Sequence, residues 1–445
     1  MKILLVASGA REHAIASALA RSRHRPEIIS VCTTNNPGLK KLSRSLHVGS
    51  LLDFPWVMGI AKQVKPDLAI VGPDDPIGGG LADLLEAEGF PTVAPKKSLA
   101  RIESSKGFAR DLLKKTVPNS VPQYRVFTSY EPKELNKFIE QDLKGNYVVK
   151  YDALRGGKGV KVSGEHLATI AEGMQYAKEC IEEGGRVVIE EKLVGVEFSL
   201  LSFVSGTQVV DMPAIQDHKR AYAGDTGPNT GGMGTYTDCD HSLPFLSKKD
   251  LSQASDINRI TAAALLKECP EHVEGYRGIL YGGFIAVADG IRVIEYNARF
   301  GDPEALNVLP LLSSDFVEIC QAITQSTLTP DLVRFEHKAT VCKYLAPESY
   351  PVSKDEKGAV VSFPSVPENA RLFFGDIAED DRGILHLGGS RTAGIVGIGE
   401  SLAEAEKIAE EFCRGVQGPV RHRADIGTAP LIDQRIAVMK NMRTK

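Results

Sequence analysis

Apolar positions come in short uninterrupted runs over the first hundred residues, separated by stretches of helical period. Ile3, Leu4, Leu5 and Val6 form one run, 28–32 a second and 68–71 a third, with 91–95 a short last one. Runs of this length between turn residues predict buried strands. Ile15 and Leu19 begin the apolar face of a helix, and 81–88 reads as another. The alternation predicts an open, doubly wound α/β domain. Ligands of such sheets lie at the carboxyl ends of the strands. The Ser8-Gly9-Ala10-Arg11-Glu12-His13 turn and the Gly72-Pro73-Asp74-Asp75-Pro76 loop both fall there.

Further on, the pattern predicts a helix near 101–117, ended by Pro118 and Pro122, and a strand at 124–127. A helix at 132–142 and strands at 147–150 and after Gly159 follow, then a helix at 167–181 and strands at 186–193 and 197–203. A helix at 257–266 precedes a strand at 278–287, which runs antiparallel into the next, and helices follow at 305–312 and 316–324. From about 331 the character changes to short strands (339–344, 359–363, 384–387, 394–398) between turns. Ser401-Leu402-Ala403-Glu404 is a capping box opening a helix with Leu402, Ala405, Ala409 and Phe412 on one face. This last region reads as a small α+β domain with a solvated surface and no catalytic pattern.

Composition narrows the class. The 445 residues suit roughly three domains, and 42% hydrophobic with 25% charged residues is ordinary for a globular protein. A net charge of −4 gives no basic excess, which argues against a nucleic-acid binder. No apolar run is long enough to span a bilayer, and the N-terminus enters a strand without a signal-peptide layout. Seven scattered cysteines without a C-x-x-C pair read as reduced, mostly buried thiols of a cytoplasmic protein.

The chemistry gathers in a few stretches. Arg292-Val293-Ile294-Glu295-Tyr296-Asn297 reads as a strand, so Glu295 and Asn297 point the same way. A carboxylate beside an amide oxygen is hard-oxygen ligation of the kind Mg²⁺ takes. Arg299 follows, beside the Gly301-Asp302-Pro303 turn, where a guanidinium suits a carboxylate or phosphate. Alone, this strand is equally an ordinary polar sheet edge. Upstream, Lys150 ends a strand, and Arg155, Gly157, Lys158 and Gly159 lie in a glycine-rich loop suited to a flap over phosphates. That loop lacks Walker A spacing. Glu190, Glu191 and Lys192 end another strand, where acids suit an adenine amino group or a ribose as well as solvent. Residues 217–234 predict a long, glycine-dense loop of few apolar residues, a substrate loop in character. The first turn has only Gly9 where a dinucleotide fingerprint needs three glycines; a phosphate at the helix N-terminus, helped by Arg11, fits better.

Together these motifs resemble the ATP-grasp pattern: a strand lysine, a glycine-rich flap, Glu-Glu-Lys before a second strand, and Glu-x-Asn ending a late one. Within that pattern, Asp217-His218-Lys219-Arg220, Thr226 to Gly234 and Asn297-Ala298-Arg299-Phe300-Gly301-Asp302-Pro303-Glu304 resemble the phosphoribosylamine–glycine ligase family, also called glycinamide ribonucleotide synthetases. Arg11-Glu12-His13 and Val71-Gly72-Pro73 match its N-terminal part. Asn36-Pro37-Gly38 and Ala339-Thr340-Val341-Cys342-Lys343-Tyr344 are similar to archaeal, monofunctional members. Ser8 and Ala10 stand where the family often has glycines, Asp75 where it often has a small residue, and Arg155 where many members have a small one.

The resemblance implies four parts: an N-terminal α/β domain over 1–103, an ATP-grasp small lobe over 104–194, a large lobe over 195–330, and a C-terminal α+β domain over 331–445. It implies ATP and Mg²⁺ (or Mn²⁺) as cofactors, with glycine and 5-phosphoribosylamine as substrates and glycinamide ribonucleotide, ADP and phosphate as products of purine biosynthesis. No nucleic-acid or membrane partner is expected, and the chain is expected as a monomer or weak homodimer. Glu295 and Asn297 would hold the metal. Lys106, Lys150, Arg155, Gly157, Lys158, Gly159, Glu190, Glu191, Lys192, Val194 and Glu197 would meet ATP. Arg299, Asp302, Asp217 and Lys219 would be catalytic. Gly9, Arg11, Glu12, Pro73, Asp74, Thr230, Gly231, Gly232, Met233, Gly301, Pro303 and Glu304 would meet the other substrates. The alternatives are another ATP-grasp carboxylate–amine ligase with a different amine, a nucleotide-binding regulatory protein without catalysis, and a Rossmann dehydrogenase, which the missing glycines oppose.

Overall fold

Parallel pairing assembles the first hundred residues into one sheet in the order Ser45–Val48, Glu27–Cys32, Lys2–Ala7, Leu68–Val71, Thr92–Val93. The structure is a computed structural model and describes residues 1–154 and 159–444. The apolar runs are the buried central strands, as their patterning requires. The Ser45–Val48 strand is an addition to the expectation. It is a half-exposed edge strand with no apolar run to betray it. The Phe54–Val64 helix is also additional; Asp53 accepts from the Trp56 N–H at 3.1 Å and Pro55 stands in its first turn.

The expected helix at 101–117 is two helices, Arg101–Ser104 and Lys106–Thr116, broken at Ser105. Ser105 takes extended backbone and its hydroxyl accepts from the Phe108 N–H at 3.2 Å, starting a new helix at Lys106. A four-stranded antiparallel sheet follows, in the order Tyr124–Phe127, Val187–Glu191, Tyr147–Tyr151, Val160–Val162. Phe127, Leu135, Tyr147 and Ile189 form its core. The glycine-rich segment joins the last two strands, with Lys150 opposite Val160. Arg155, Gly157 and Lys158 lie outside the described residues; Gly159 accepts from the Tyr151 N–H at 2.8 Å.

A second antiparallel sheet runs Gln208–Asp211, Val196–Gly206, Tyr276–Val287, Gly290–Asn297. The Lys248–Glu268 helix crosses it, starting from a Ser247–Asp250 capping box well before the expected 257. The long loop expected at 217–234 is instead largely β-structure. Arg220–Tyr222 and Thr226–Asn229 form a hairpin, and Gln216–Asp217 pairs with Gly234–Thr237. Gly224, Asp225 and Gly227 take left-handed backbone (φ +71°, +54° and +81°), which closes the turn without apolar residues.

The Gly234–Thr237 strand pairs onward with Ala339–Pro347, then Ala393–Gly399 and Ala370–Phe374. The C-terminal strands therefore continue the sheet that carries the 217–234 segment. An unexpected last helix, Ala429–Arg443, returns across the chain: Arg443 forks onto Asp250 at 2.7 and 2.8 Å. Only Leu431, Ile432 and Met439 of it are buried, too few for a helical apolar stripe to stand out. All seven cysteines are free thiols, and all but Cys239 are buried. Among the described residues no helix is long and apolar enough to cross a membrane.

Candidate active site

The Gly290–Asn297 strand is irregular where the chemistry gathers. Glu295 pairs with Gly283 and Val293 with Phe284, so Ile294 is an extra residue opposite none, a β-bulge. Its carbonyl turns out of the ladder and accepts from Arg110 Nη2 at 2.6 Å and Lys150 Nζ at 3.1 Å. The same two cations grip Glu190. Arg110 donates to it from Nε at 2.7 Å and Nη2 at 3.0 Å, and Lys150 pairs with Oε1. Burial would raise the Glu190 carboxyl, but Arg110 and Lys150 outweigh it and hold it below the usual range. Glu190 is thus inside the site rather than open to a nucleotide, while Glu191 is exposed. Lys192 donates to the Ser163 carbonyl at 3.0 Å, and Val194 stands 68% exposed just before the next strand.

Lys106 opens its helix and donates to the Ala153 carbonyl at 2.9 Å, at the root of the glycine-rich segment. Asp152 fastens the same place, accepting from the Gly107 N–H at 3.0 Å and pairing with Arg186 at 2.8 Å. Past the bulge, Glu197, Ser199, Asp217, Lys219, Tyr281 and Glu295 line one cleft. Lys219 Nζ lies 3.7 Å from Glu295 and 3.9 Å from Glu197. Burial pushes the Glu295 carboxyl up, but Lys219, Lys150, Lys106 and Arg299 outweigh it and bring it down to about 2. Asp217 goes the other way. Burial and the neighbouring Glu304 raise it well above the carboxylate range, against Lys219 and Arg391. Burial also raises Glu304, whose Oε1 accepts from the Tyr281 hydroxyl at 2.9 Å.

The turn after the strand is held from several sides. Arg299 pairs with the buried Glu103 at 3.0 Å, donates to the Phe300 carbonyl at 3.1 Å and lies 3.4 Å from Asn297 Oδ1. Glu103 also accepts from the Ala298 N–H at 2.7 Å. Arg299 Nε has no hydrogen-bond partner among the described residues. Asp74 sits in the field of Arg299 and Arg11; burial would raise it, and these cations hold it below its ordinary value. A side chain on Gly301 would meet Glu304 Oε2 at 2.1 Å, and one on Gly232 would meet Pro303 at 2.6 Å and Asp217 at 2.7 Å. Thr230 ties the loop down, its N–H and hydroxyl donating to the Lys219 carbonyl at 2.7 and 2.9 Å.

Two expected substrate residues face elsewhere. Met233 is wholly buried, and its main chain joins the His218 and Tyr344 strands. Arg11 is 7% exposed, its Nε on Glu12 and its Nη1 3.2 Å from the Phe300 carbonyl. The N–H groups of Ser8 and Gly9, the natural phosphate donors of that turn, are taken by Glu12 at 3.0 and 2.9 Å. Arg11 and Glu12 thus join the first turn to the Arg299–Asp302 turn. Pro73 caps the short Asp74–Gly79 helix over it.

Glu295 lines the cleft with its carboxylate ionised and its side chain 34% exposed, and Asn297 adds an amide oxygen two residues further along the same strand. That donor set fits a hard divalent cation.

Sequence comparison gives these residues a family. Models of the phosphoribosylglycinamide synthetase N domain, ATP-grasp (A) domain and C domain match residues 1–103, 104–305 and 340–429. The chain belongs to the phosphoribosylglycinamide synthetase family. It is 45% identical to the phosphoribosylamine–glycine ligase of Methanococcus maripaludis, over 99% of this chain and 100% of that protein. The crystal structure of phosphoribosylamine–glycine ligase from Thermotoga maritima superposes with a TM-score of 0.78 at 29% identity, over 96% of this chain and 100% of that one. A biotin carboxylase domain of Hydrogenobacter thermophilus 2-oxoglutarate carboxylase, solved with MgADP and bicarbonate, shares the fold at a TM-score of 0.72 and 14% identity, over 99% and 93% of the two chains.

The bulge, the Arg110, Lys150 and Glu190 cluster and the cleft all lie within the family's ATP-grasp domain. Sequence reasoning missed Arg110, Glu103, Tyr281 and Arg391. Arg110 had a signal: it sits on the buried face of its helix with Ala109, Leu112 and Leu113, a charge at a core position. Arg391 had none beyond its place after two glycines.

Proposed function

We infer that this chain joins glycine to 5-phosphoribosylamine, consuming ATP and giving glycinamide ribonucleotide, ADP and phosphate, a step of purine biosynthesis. The observation that carries the reading is the convergence of Asp217, Lys219, Glu197 and Glu295 on one cleft, in a chain 45% identical to a phosphoribosylamine–glycine ligase over its whole length. A free carboxylate is a poor acylating agent, so the glycine carboxylate oxygen attacks the γ-phosphorus and the bond to ADP breaks. The amine nitrogen then attacks the acyl carbon, phosphate leaves and the nitrogen gives up a proton. Both steps need positioning and charge neutralisation rather than a protein nucleophile.

Lys106 and Lys150 neutralise phosphate oxygens, with the Glu190–Arg110 pair fixing the lysine's direction. Glu295 and Asn297 would hold Mg²⁺, or Mn²⁺, which when bound supplies charge neutralisation to the phosphates. Glu197 and Lys192 would hold the nucleotide's ribose and base. Arg299, anchored by Glu103, would pair with the glycine carboxylate. Asp217 and Lys219 orient the amine. The glycine-rich segment and the 217–234 hairpin shield the acyl phosphate from water. The test is ADP release with Mg²⁺ and ATP, omitting glycine and the amine in turn. Dependence on both supports the reading; release that needs a different amine moves it to another ATP-grasp carboxylate–amine ligase.

A further inference from the structure

Arg391 comes from the C-terminal region, two residues before the Ala393–Gly399 strand, yet it reaches the turn after the metal pair. Its guanidinium meets four acceptors on two other segments. Nη1 donates to the carbonyls of Gly231 and Gly232, each at 2.9 Å, and to the Asp302 carbonyl at 3.1 Å. Nη2 donates to Asp302 Oδ2 at 3.0 Å. The other carboxylate oxygen accepts from the Tyr344 hydroxyl at 2.8 Å, and the guanidinium lies over the Tyr344 ring, 4.5 Å from its centroid. A side chain on Gly231 would stand 2.7 Å from Nη2, so the turn is shaped to this group. A planar fork is suited to such a set, and a lysine ammonium is not.

Resting on the ligase reading, we propose that Arg391 is a positioning residue that couples phosphoryl transfer to amide formation. It locks the Gly231-Gly232 turn against Asp302, so the amine meets the glycyl phosphate before water does. With the lock open, a water oxygen attacks the acyl carbon instead, the bond to phosphate breaks, and glycine and inorganic phosphate are returned. ATP is then spent without ligation. None of the four hydrogen bonds involves Lys106, Lys150 or Glu295, the groups assigned to the nucleotide phosphates, so the first step suffers less than the second.

The experiment compares phosphate released with amide formed, in the full chain, for wild type, Arg391→Ala, Arg391→Lys and Tyr344→Phe. In Arg391→Ala the phosphate-to-amide ratio rises at least threefold, glycine-dependent ADP release changes less than threefold, and the KM for ATP holds. Arg391→Lys gives an intermediate ratio. Tyr344→Phe, which loosens Asp302 from its other side, shifts the ratio the same way and keeps the test open should Arg391→Ala fold poorly. A merely structural arginine would lower the active fraction and leave the ratio at one. A ratio of one in Arg391→Lys and Tyr344→Phe therefore overturns the proposal while leaving the ligase reading intact. Wild type that forms no amide overturns both.

Discussion

His13 belongs to the Arg11-Glu12-His13 turn but does no chemistry there. Its ring is 8% exposed, set edge-on to Phe373 and stacked on Phe374, and its Nδ1 accepts from the Phe374 N–H at 2.9 Å. A side chain on Gly38 would lie 2.0 Å from the ring, so the pocket is tight on that side. Burial, with a smaller push from Lys41, lowers the imidazole from 6.5 to about 4. The folded state therefore resists a proton that the unfolded chain accepts. The stability that neutral His13 contributes is complete above pH 6.5 and is lost as pH falls toward 4. Linkage puts the loss at roughly 2 kcal/mol between about pH 7 and about pH 4.5. His13→Gln keeps an acceptor for the Phe374 N–H and cannot titrate. Urea denaturation of both proteins at the two pH values reads the difference. The stability gap between wild type and variant should shrink, or reverse in favour of the variant, by roughly 2 kcal/mol on acidification. Parallel pH dependences would refute the reasoning.

Other perturbations separate the remaining parts. Glu295→Gln removes the carboxylate proposed to hold the metal and should cut ADP release by at least about 10²-fold, the order for loss of one charge-stabilising group, with the urea midpoint little changed. Arg110→Met leaves Glu190 buried beside Lys150 alone; the folded state should lose about 3–5 kcal/mol and the KM for ATP should rise as Lys150 is left to neutralise the acid by itself, both read on one preparation. Arg443→Ala strips the guanidinium from Asp250, which is 3% exposed and among the described residues keeps only Ser247, and should cost about 1–3 kcal/mol without changing the KM for glycine. If ionised Asp217 orients the amine, its raised carboxyl sets the acid limb of the kcat profile above the ordinary carboxylate range, and Asp217→Asn abolishes that limb. Glu295, held at about 2, adds none.

The sequence made legible what local pattern encodes. The central parallel strands were uninterrupted apolar runs, and the Glu295–Asn297 pair followed from strand alternation. The glycine-rich segment does join two antiparallel strands. What escaped was held by distant partners. The hairpin within 217–234 is closed by left-handed backbone at Gly224, Asp225 and Gly227, and its tip is gripped by Arg423 and Arg435 on Asp225, two hundred residues away. The edge strand at Ser45 and the last helix carry few buried apolar residues, so periodicity had little to register. Arg11 looked like a phosphate ligand because charge after a turn usually faces solvent. Here Glu12 and the Phe300 carbonyl draw it inward. Glu190 was read as an acid at a strand end, suited to an adenine or a ribose, and only the fold brings Arg110 and Lys150 to it.

The most direct test of the central claim follows an oxygen. With ¹⁸O in the glycine carboxylate, Mg²⁺, ATP and fresh phosphoribosylamine, mass spectrometry of the released phosphate reads whether that oxygen attacked phosphorus. Each phosphate should carry one glycine oxygen, and release should require both glycine and the amine. Unlabelled phosphate, or phosphate formed without glycine, would contradict carboxylate activation and with it the function assigned to this cleft.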